Sequence, residues 1–317
     1  MAGAKKIAFI SNPVGPEFES LVCGKYPGQV EFIKPEDLPS RAGEFSAIMT
    51  MDRQVPGSVF ERADALEWVH VQSHGFYKVL TPELSAHRAT VTNSRGAHPE
   101  SVAEHVFAML LGMMRHLKEY ARQQAEHKWQ PINMDTLYGK TMCIIGVGNV
   151  GSTVARRAKG FGMRVIGVDI VPVICESVDE LVGTAEMDAA IARSDVVAIC
   201  VPYNNGTARM FDRRRLQMLK QGAYLVNIAR GGIADEKALR EMLDQGRLSG
   251  ACFDVFETEP LPPDSPLWDA PNLILLPHSA SRTALSRSRL QEIAVENIRR
   301  FLAGEPLLNV IKRGVAP

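Results

Sequence analysis

Late in the chain, three strand-like runs each end on groups that could do chemistry. Val226-Asn227-Ile228-Ala229 leads to Arg230-Gly231-Gly232. Ala251-Cys252-Phe253-Asp254-Val255-Phe256 leads to Glu257-Thr258-Glu259-Pro260. Leu273-Ile274-Leu275-Leu276-Pro277 leads to His278-Ser279-Ala280. Together these residue types could move a proton and hold an anionic ligand. Histidine titrates near neutrality and can hold or release a proton. A carboxylate against the imidazole favours its charged form and fixes its orientation. Arginine presents a planar fork that grips a carboxylate and polarises a carbonyl. Singly, each group has a plainer reading: a strand-end arginine is usually a surface ion pair, and a lone histidine a satisfied structural residue. Their succession on late strands, at the carboxyl edge where open parallel sheets bind ligands, argues for a joint role.

A cofactor for such chemistry has its candidate site upstream. Thr141-Met142-Cys143-Ile144-Ile145 reads as a buried strand. It runs into Gly146-Val147-Gly148-Asn149-Val150-Gly151 and then a helical stretch through Phe161. A bare G-x-G-x-x-G is weak, but the strand before it and the helix after it make a dinucleotide fingerprint. Gly146 would permit the tight turn, Gly148 the approach of a pyrophosphate, and Gly151 close packing of helix on strand. The helix N-terminus would offer free N–H groups and a positive dipole end to the phosphates. The next strand ends on Asp169, 18 residues after Gly151. A carboxylate there can accept both ribose hydroxyls of NAD and repels the 2′-phosphate of NADP. Ile170, Val171 and Pro172 supply no cation to offset that repulsion. NAD is therefore the expected cofactor, ahead of NADP.

The elements that must position these groups follow from the alternation of short β-like runs with helical segments, which predicts parallel sheets covered by helices. A first series of strands is expected at 6–10, 30–33, 47–51, 68–72 and 90–92. A long helix should begin at His98-Pro99-Glu100, with Val102, Val106, Met109, Leu110, Met113 and Leu117 at spacings of three and four. Its middle is nearly all apolar, which predicts burial. A second series is expected at 141–145, 164–168, 196–201, 223–228, 251–253 and 273–276, six strands as a doubly wound dinucleotide fold requires. The last helix, about 284–302, carries Leu290, Ile293, Ala294, Ile298, Phe301 and Leu302 on one stripe, and it is expected to return to the first series.

Bulk composition excludes little but does so cleanly. The chain has 317 residues, 45% hydrophobic and 23% charged, which suits a globular protein of about two domains. Lys+Arg and Asp+Glu are equal at 36 each, so no global field draws nucleic acid or an anionic membrane. Arg213-Arg214-Arg215 is the densest basic run and reads as a solvated helix face. The longest apolar run, 106–114, is shorter than the about 20 residues that span a bilayer. The apolar stretch near the N-terminus is too short for a secretory signal. None of the five cysteines (Cys23, Cys143, Cys175, Cys200, Cys252) forms a C-x-x-C pair or another tight metal spacing, so no metal site is expected. Cys143, Cys200 and Cys252 lie in apolar runs, as core thiols do, and a cytoplasmic protein with reduced thiols is the expectation.

On these residues the chain resembles the D-isomer-specific 2-hydroxyacid dehydrogenase family, and within it the members similar to glyoxylate and hydroxypyruvate reductases. The resemblance covers nearly the whole chain and is strongest over 139–283, where V-N-I-A-R-G-G, D-V-F-E-T-E-P and P-H-S-A stand in the family's order and spacing. It implies two Rossmann-like α/β domains with doubly wound parallel sheets and the active site in the cleft between them. One, flavodoxin-like and discontinuous, would be 1–97 with 285–317 and bind substrate. The other, 98–284, would bind NAD, with 98–139 holding the crossover helix and a dimerisation segment. The resemblance implies a catalytic group of Arg230, Glu259 and His278: His278 as acid and base, Glu259 as its partner, Arg230 as the anchor of a 2-keto acid's carboxylate.

It further implies a cofactor side made of Gly146, Gly148, Asn149, Val150, Gly151, Asp169, Val201, Pro202, Thr207, Ile228, Ala229, Arg230, Asp254, His278 and Ala280, with Asp254 facing the nicotinamide or serving structure. In similar proteins the backbone N–H groups of the turn at Ser73-His74-Gly75 bind the substrate carboxylate together with Arg230 and His278. This chain departs from the pattern there: His74 precedes Gly75, and Phe76-Tyr77 follow. Whether His74 meets a polar substrate group or caps the loop stays open. Trp129 resembles a tryptophan that crosses a dimer interface in some relatives, though an interface or core role is the plainer reading. The implied function is NAD-linked interconversion of a small 2-keto acid and its D-2-hydroxy acid by a homodimer. A short phosphoglycerate dehydrogenase and an NAD-sensing scaffold similar to corepressors of this fold are the alternatives. Formate dehydrogenases of this group carry Gln where Glu259 stands.

Overall fold

A computed structural model describes residues 5–10, 15–51, 55–73, 75 and 79–311. The chain divides into two compact units, 1–98 with 283–317 and 99–282. The calls on His74, Phe76 and Tyr77 concern positions outside the described residues.

The first unit holds strands β1 (Ile7–Phe9), β2 (Val30–Phe32), β3 (Ala47–Thr50), β4 (Trp68–Val71) and β5 (Thr90–Asn93). All pair in parallel in the order β2-β1-β3-β4-β5, the flavodoxin-like arrangement. Helices α1 (Pro16–Lys25), α2 (Leu38–Arg41), α3 (Gly57–Arg62) and α4 (Pro82–Ala86) join them. Proline opens α4 beside Thr81, whose hydroxyl accepts the Leu84 N–H and so ends the unsatisfied first turn. Strands β1, β3 and β4 are buried on both faces, which explains why their sequences read as short apolar runs rather than alternations.

Polar side chains sit inside this sheet too, among them Thr50, His70 and Thr92. His70 has no solvent exposure, and burial pushes its imidazole down to about 3. The unfolded chain protonates it near 6.5, so below that pH protons favour the unfolded state. Stability due to this residue is complete above pH 6.5 and falls by about 1.4 kcal/mol per pH unit on acidification toward 3. Urea unfolding at pH 7, 5.5 and 4 should therefore show a shallower pH slope for His70→Gln than for the unaltered chain.

The second unit holds β6 (Thr141–Ile145), β7 (Arg164–Val168), β8 (Glu180–Val182), β9 (Val196–Ile199), β10 (Ala223–Asn227), β11 (Leu248–Phe253) and β12 (Leu273–Leu275). They form one parallel sheet in the order β12-β11-β10-β9-β6-β7-β8. Its direction of winding reverses between β6 and β9, the place where such sheets take a dinucleotide. The sequence reading missed β8. It is a three-residue edge strand, Glu-Leu-Val, with none of its residues fully buried, and it is too short to leave a pattern.

Helix α5 (Pro99–Met114) starts at the expected proline but stops three residues early. His116 takes a left-handed φ of 52°, and α6 (Leu117–Ala125) begins there in a new direction. Leu117 consequently stands 58% exposed rather than continuing the buried stripe. The remaining helices are α7 (Asn149–Gly160), α8 (Met187–Ala192), α9 (Arg213–Met218), α10 (Glu236–Asp244) and α11 (Ala284–Ala303).

The stripe of α11 buries Ala294, Ile298 and Phe301 in the first unit's core, with the Phe301 ring 5.1 Å from Trp68. Ile293, expected on that stripe, is only partly buried, and Val295 packs there too. The arginine run on α9 is not a free basic face. Arg213 pairs with Glu241, and Arg214 and Arg215 pair with Asp188 on neighbouring helices. Among the described residues no helix is long and apolar enough to cross a membrane.

Candidate active site

The glycine loop joins β6 to α7. Gly146 takes φ +93°, a conformation open to glycine, and a Cβ there would meet Val201 Cγ1 at 2.8 Å and the Cys200 carbonyl at 3.0 Å. A Cβ on Gly151 would collide with the Gly146 carbonyl, so the helix start packs directly on the loop. Gly148 is different: nothing lies within 4 Å of its Cβ position. It is also the N-cap of α7, and no side chain caps that helix. Open space above bare N–H groups fits a pyrophosphate, which would complete the helix end.

Asp169 ends β7 with both carboxylate oxygens held. Oδ2 accepts the Val147 N–H at 2.8 Å and Oδ1 the Ile170 N–H at 2.7 Å. The first bond ties the acid to the glycine loop and fixes its direction, and each oxygen keeps a lone pair for a ribose hydroxyl. Asn149 and Val150 open α7. Val201 and Pro202 follow β9, and the Thr207 hydroxyl is spent in the same loop, donating to the Pro202 carbonyl at 2.6 Å and accepting the Asn204 N–H at 2.8 Å.

Arg230, Glu259 and His278 follow β10, β11 and β12, three neighbouring parallel strands, and so stand at one edge of the sheet. The His278 Nδ1 lies 2.7 Å from Glu259 Oε2. The other carboxylate oxygen, Oε1, accepts the Phe256 N–H at 3.0 Å, so the acid cannot swing away. A carboxylate accepts only, which puts the proton on Nδ1 and leaves Nε2 as the atom that can exchange one. Glu257 does not compete for the ring: it is exposed, and its N–H donates to Glu236 Oε1 at 2.6 Å. Burial, with the nearby Glu257 and Glu259 charges, raises the Glu236 carboxyl above its ordinary range.

His278 holds a left-handed φ of 50°. That conformation is costly for most side chains and persists where neighbours enforce it. Asp254 is the enforcing group. It is 1% exposed, and its carboxylate accepts the Ser279 N–H at 2.8 Å and the Ala280 N–H at 2.9 Å. His105 Nε2 on α5 stands 3.3 Å from Asp254 Oδ1. Burial alone would raise the Asp254 carboxyl, but His105 and the two N–H groups outweigh it and hold it below its usual value.

Arg230 sits on a turn pinned by Asn227. The Asn227 side chain donates to the Arg230 carbonyl at 3.0 Å and accepts the Ala229 N–H at 3.1 Å. One fork nitrogen, Nη1, donates to the Ala229 carbonyl at 2.7 Å. The guanidinium keeps further donors for a ligand. In the other unit, Ser73 follows β4 and its hydroxyl donates to the Gly75 carbonyl at 2.6 Å.

Residues 107–280 match the family model described as the NAD-binding domain of D-isomer-specific 2-hydroxyacid dehydrogenases. The chain belongs to that family. It is therefore an oxidoreductase that works with a nicotinamide cofactor on 2-hydroxy and 2-keto acids. A glyoxylate reductase of Korarchaeum cryptofilum is 36% identical over 269 residues, 82% of this chain and 80% of that one. A D-isomer-specific 2-hydroxyacid dehydrogenase family protein of Aeromonas salmonicida superposes with a TM-score of 0.86 at 30% identity, covering 98% of this chain and 99% of its own. An acyclic imino acid reductase solved with NADPH and D-arginine gives the same TM-score at 25% identity, covering 97% of this chain and 100% of its own.

Three residues around this dehydrogenase site were not singled out from the sequence. Asn227 and Glu236 act on backbone groups of the loops that carry Arg230 and Glu259. His105 reaches Asp254 from a helix far away in sequence. Asn227 left one signal, a polar residue closing an otherwise apolar strand. Glu236 and His105 left none, since both look like ordinary helix-surface residues.

Proposed function

We propose that this dehydrogenase reduces a small 2-keto acid of the glyoxylate or hydroxypyruvate kind to the D-2-hydroxy acid, with NADH. The observation that carries the reading is the His278–Glu259 pair at 2.7 Å, on the same sheet edge as Arg230. The nicotinamide, when bound, supplies the hydride to the keto carbon. His278 Nε2 gives its proton to the carbonyl oxygen, and in the reverse direction takes it back. Glu259 holds the ring by Nδ1 and so aims Nε2 at the substrate. The free donors of Arg230 bind the substrate carboxylate, aided by the backbone of the Ser73–Gly75 turn.

The test is loss of NADH absorbance with glyoxylate, hydroxypyruvate, pyruvate and bulkier 2-keto acids. Turnover of the smaller acids is expected, and no oxidation with any of them would overturn the reading.

Asp169 supports NAD over NADP, because the oxygens fixed by Val147 and Ile170 suit hydroxyl donors and repel a phosphate. An Asp169→Asn chain keeps an acceptor for Val147 but loses the charge. Its ratio of kcat/KM with NADH to kcat/KM with NADPH should fall about tenfold, the equivalent of one charged hydrogen bond. An unchanged ratio would remove Asp169 from cofactor selection.

The reading includes a homodimer with its dimerisation segment within 98–139, where Leu117, Trp129, Met134 and Tyr138 stand 58%, 100%, 46% and 78% exposed. Exposed large apolar side chains in that segment support the reading. Light scattering should give twice the chain mass. Five free thiols fit work in the cytoplasm.

A further inference from the structure

The buried imidazole of the first unit takes no part in the chemistry above, yet it lies on a directed chain of hydrogen bonds. Trp68 Nε1 donates to Thr92 Oγ1 at 2.8 Å. Thr92 Oγ1 lies 2.7 Å from His70 Nδ1, and His70 Nε2 lies 3.2 Å from Ser94 Oγ. Ser94 Oγ in turn donates to the Val71 carbonyl at 3.4 Å. Trp68, His70, Thr92 and Ser94 are each 0% exposed, so no solvent competes for these atoms.

The direction follows from donor counting. An indole N–H only donates, so Thr92 accepts from Trp68 and has its hydroxyl proton to give to Nδ1. A serine hydroxyl has one proton, and Ser94 gives it to Val71, so Nε2 must be the protonated nitrogen. His70 is thus a neutral ring with a fixed tautomer, as its burial requires.

The far end of the chain is the turn that the proposed function assigns to the substrate. The Ser94 backbone N–H donates to the Ser73 carbonyl at 3.0 Å, while the Ser94 carbonyl accepts from Ala97. Ser73 then holds Gly75 through its own hydroxyl. Ser94 therefore clamps the turn's entry with its backbone while its side chain is held by His70.

We propose that His70 is a positioning residue for substrate binding: its Nε2–H fixes Ser94, and Ser94 fixes the Ser73–Gly75 turn. The inference rests on the reading of that turn as a carboxylate site. Removing the ring leaves the Ser94 hydroxyl without a donor and the Thr92 hydroxyl without an acceptor, and frees the turn. The dinucleotide loop belongs to the other unit and should not respond.

The experiment compares His70→Leu, His70→Gln and Gly75→Val in steady-state kinetics with NADH and the best 2-keto acid, alongside NADH affinity by fluorescence. His70→Leu should raise KM for the keto acid about tenfold, with kcat within about threefold and NADH affinity unchanged. Glutamine can place an amide N–H near the Nε2 position and should restore most of the lost KM. A merely structural role would lower the active fraction, and so apparent kcat, without moving KM.

Unaltered KM in His70→Leu, while Gly75→Val raises it, would overturn the role of His70 and leave the turn reading standing. Unaltered KM in Gly75→Val as well would overturn both. Nitrogen-15 spectra of the histidines supply a second readout in case the leucine variant fails to fold. A buried ring protonated on Nε2 is expected, and one protonated on Nδ1 would reverse the chain and overturn the inference.

Discussion

Replacing His278 with alanine should lower kcat for keto acid reduction by about 10²–10⁴-fold, with a far smaller change in KM. The size follows from what one placed acid contributes to proton transfer. The atom at stake is Nε2, because Glu259 Oε2 holds Nδ1 at 2.7 Å. Water must replace it in the variant, without the fixed direction that the Asp254 clamp on Ser279 and Ala280 confers. Glu259→Gln is the informative companion. Its amide oxygen can still accept from Nδ1, so the ring stays placed, but the negative charge beside the ring is gone. Its loss should be measurable and smaller than that of His278→Ala. Stopped-flow absorbance of NADH under single-turnover conditions separates the chemical step from product release, and an unchanged rate in His278→Ala would remove the histidine from the mechanism.

Gly231→Ala should be the most damaging single-methyl change in the site. Gly231 follows Arg230, and a Cβ at this position would land on the Phe256 carbonyl group and the Glu257 N, which are backbone atoms. Flexible side chains can move aside from an added methyl, but two backbone loops pressed together cannot without separating. Overpacking of this kind costs about 1–3 kcal/mol or more. The separation would also shift the two loops that carry Arg230 and Glu259, through the Asn227 and Phe256 bonds that fix them. Urea unfolding should show the lost stability, and the folded fraction should show kcat/KM reduced by at least about tenfold. The cost of a misplaced catalytic constellation sets that scale. Gly148→Ala is the control, since its Cβ position is open. It should fold normally and weaken dinucleotide binding alone.

Much of this was legible in the order of residues. Buried parallel strands read as short apolar runs, and glycines at 146, 148 and 151 between a strand and a helix can hardly serve another purpose. The run of V-N-I-A-R, E-T-E-P and P-H-S-A placed Arg230, Glu259 and His278 at strand ends. These signals are local, because each depends on a few adjacent residues and the backbone geometry they allow. Where the local signal was thin, the reading failed. The edge strand β8 was too short to show a period, and the stop of α5 at Met114 comes from a left-handed His116 that no helix rule marks.

The sequence by itself thus determined the fold class, the glycine loop and the residue types available at the sheet edge. Only the tertiary structure decided which of them touch. The three strand ends carry Arg230, the acids Asp254, Glu257 and Glu259, and His278, and spacing alone could not say which acid meets the ring. Folding brings Glu259 to His278 across 19 residues, while the Glu257 backbone N–H is held by Glu236 and its side chain stays exposed. Asp254 bonded to Ser279, His105 beside Asp254 and Ser94 holding Ser73 are likewise contacts between strands and helices distant in the chain. A hydrogen bond depends on position within a few tenths of an ångström, and that is fixed by packing of whole elements rather than by the residues next door.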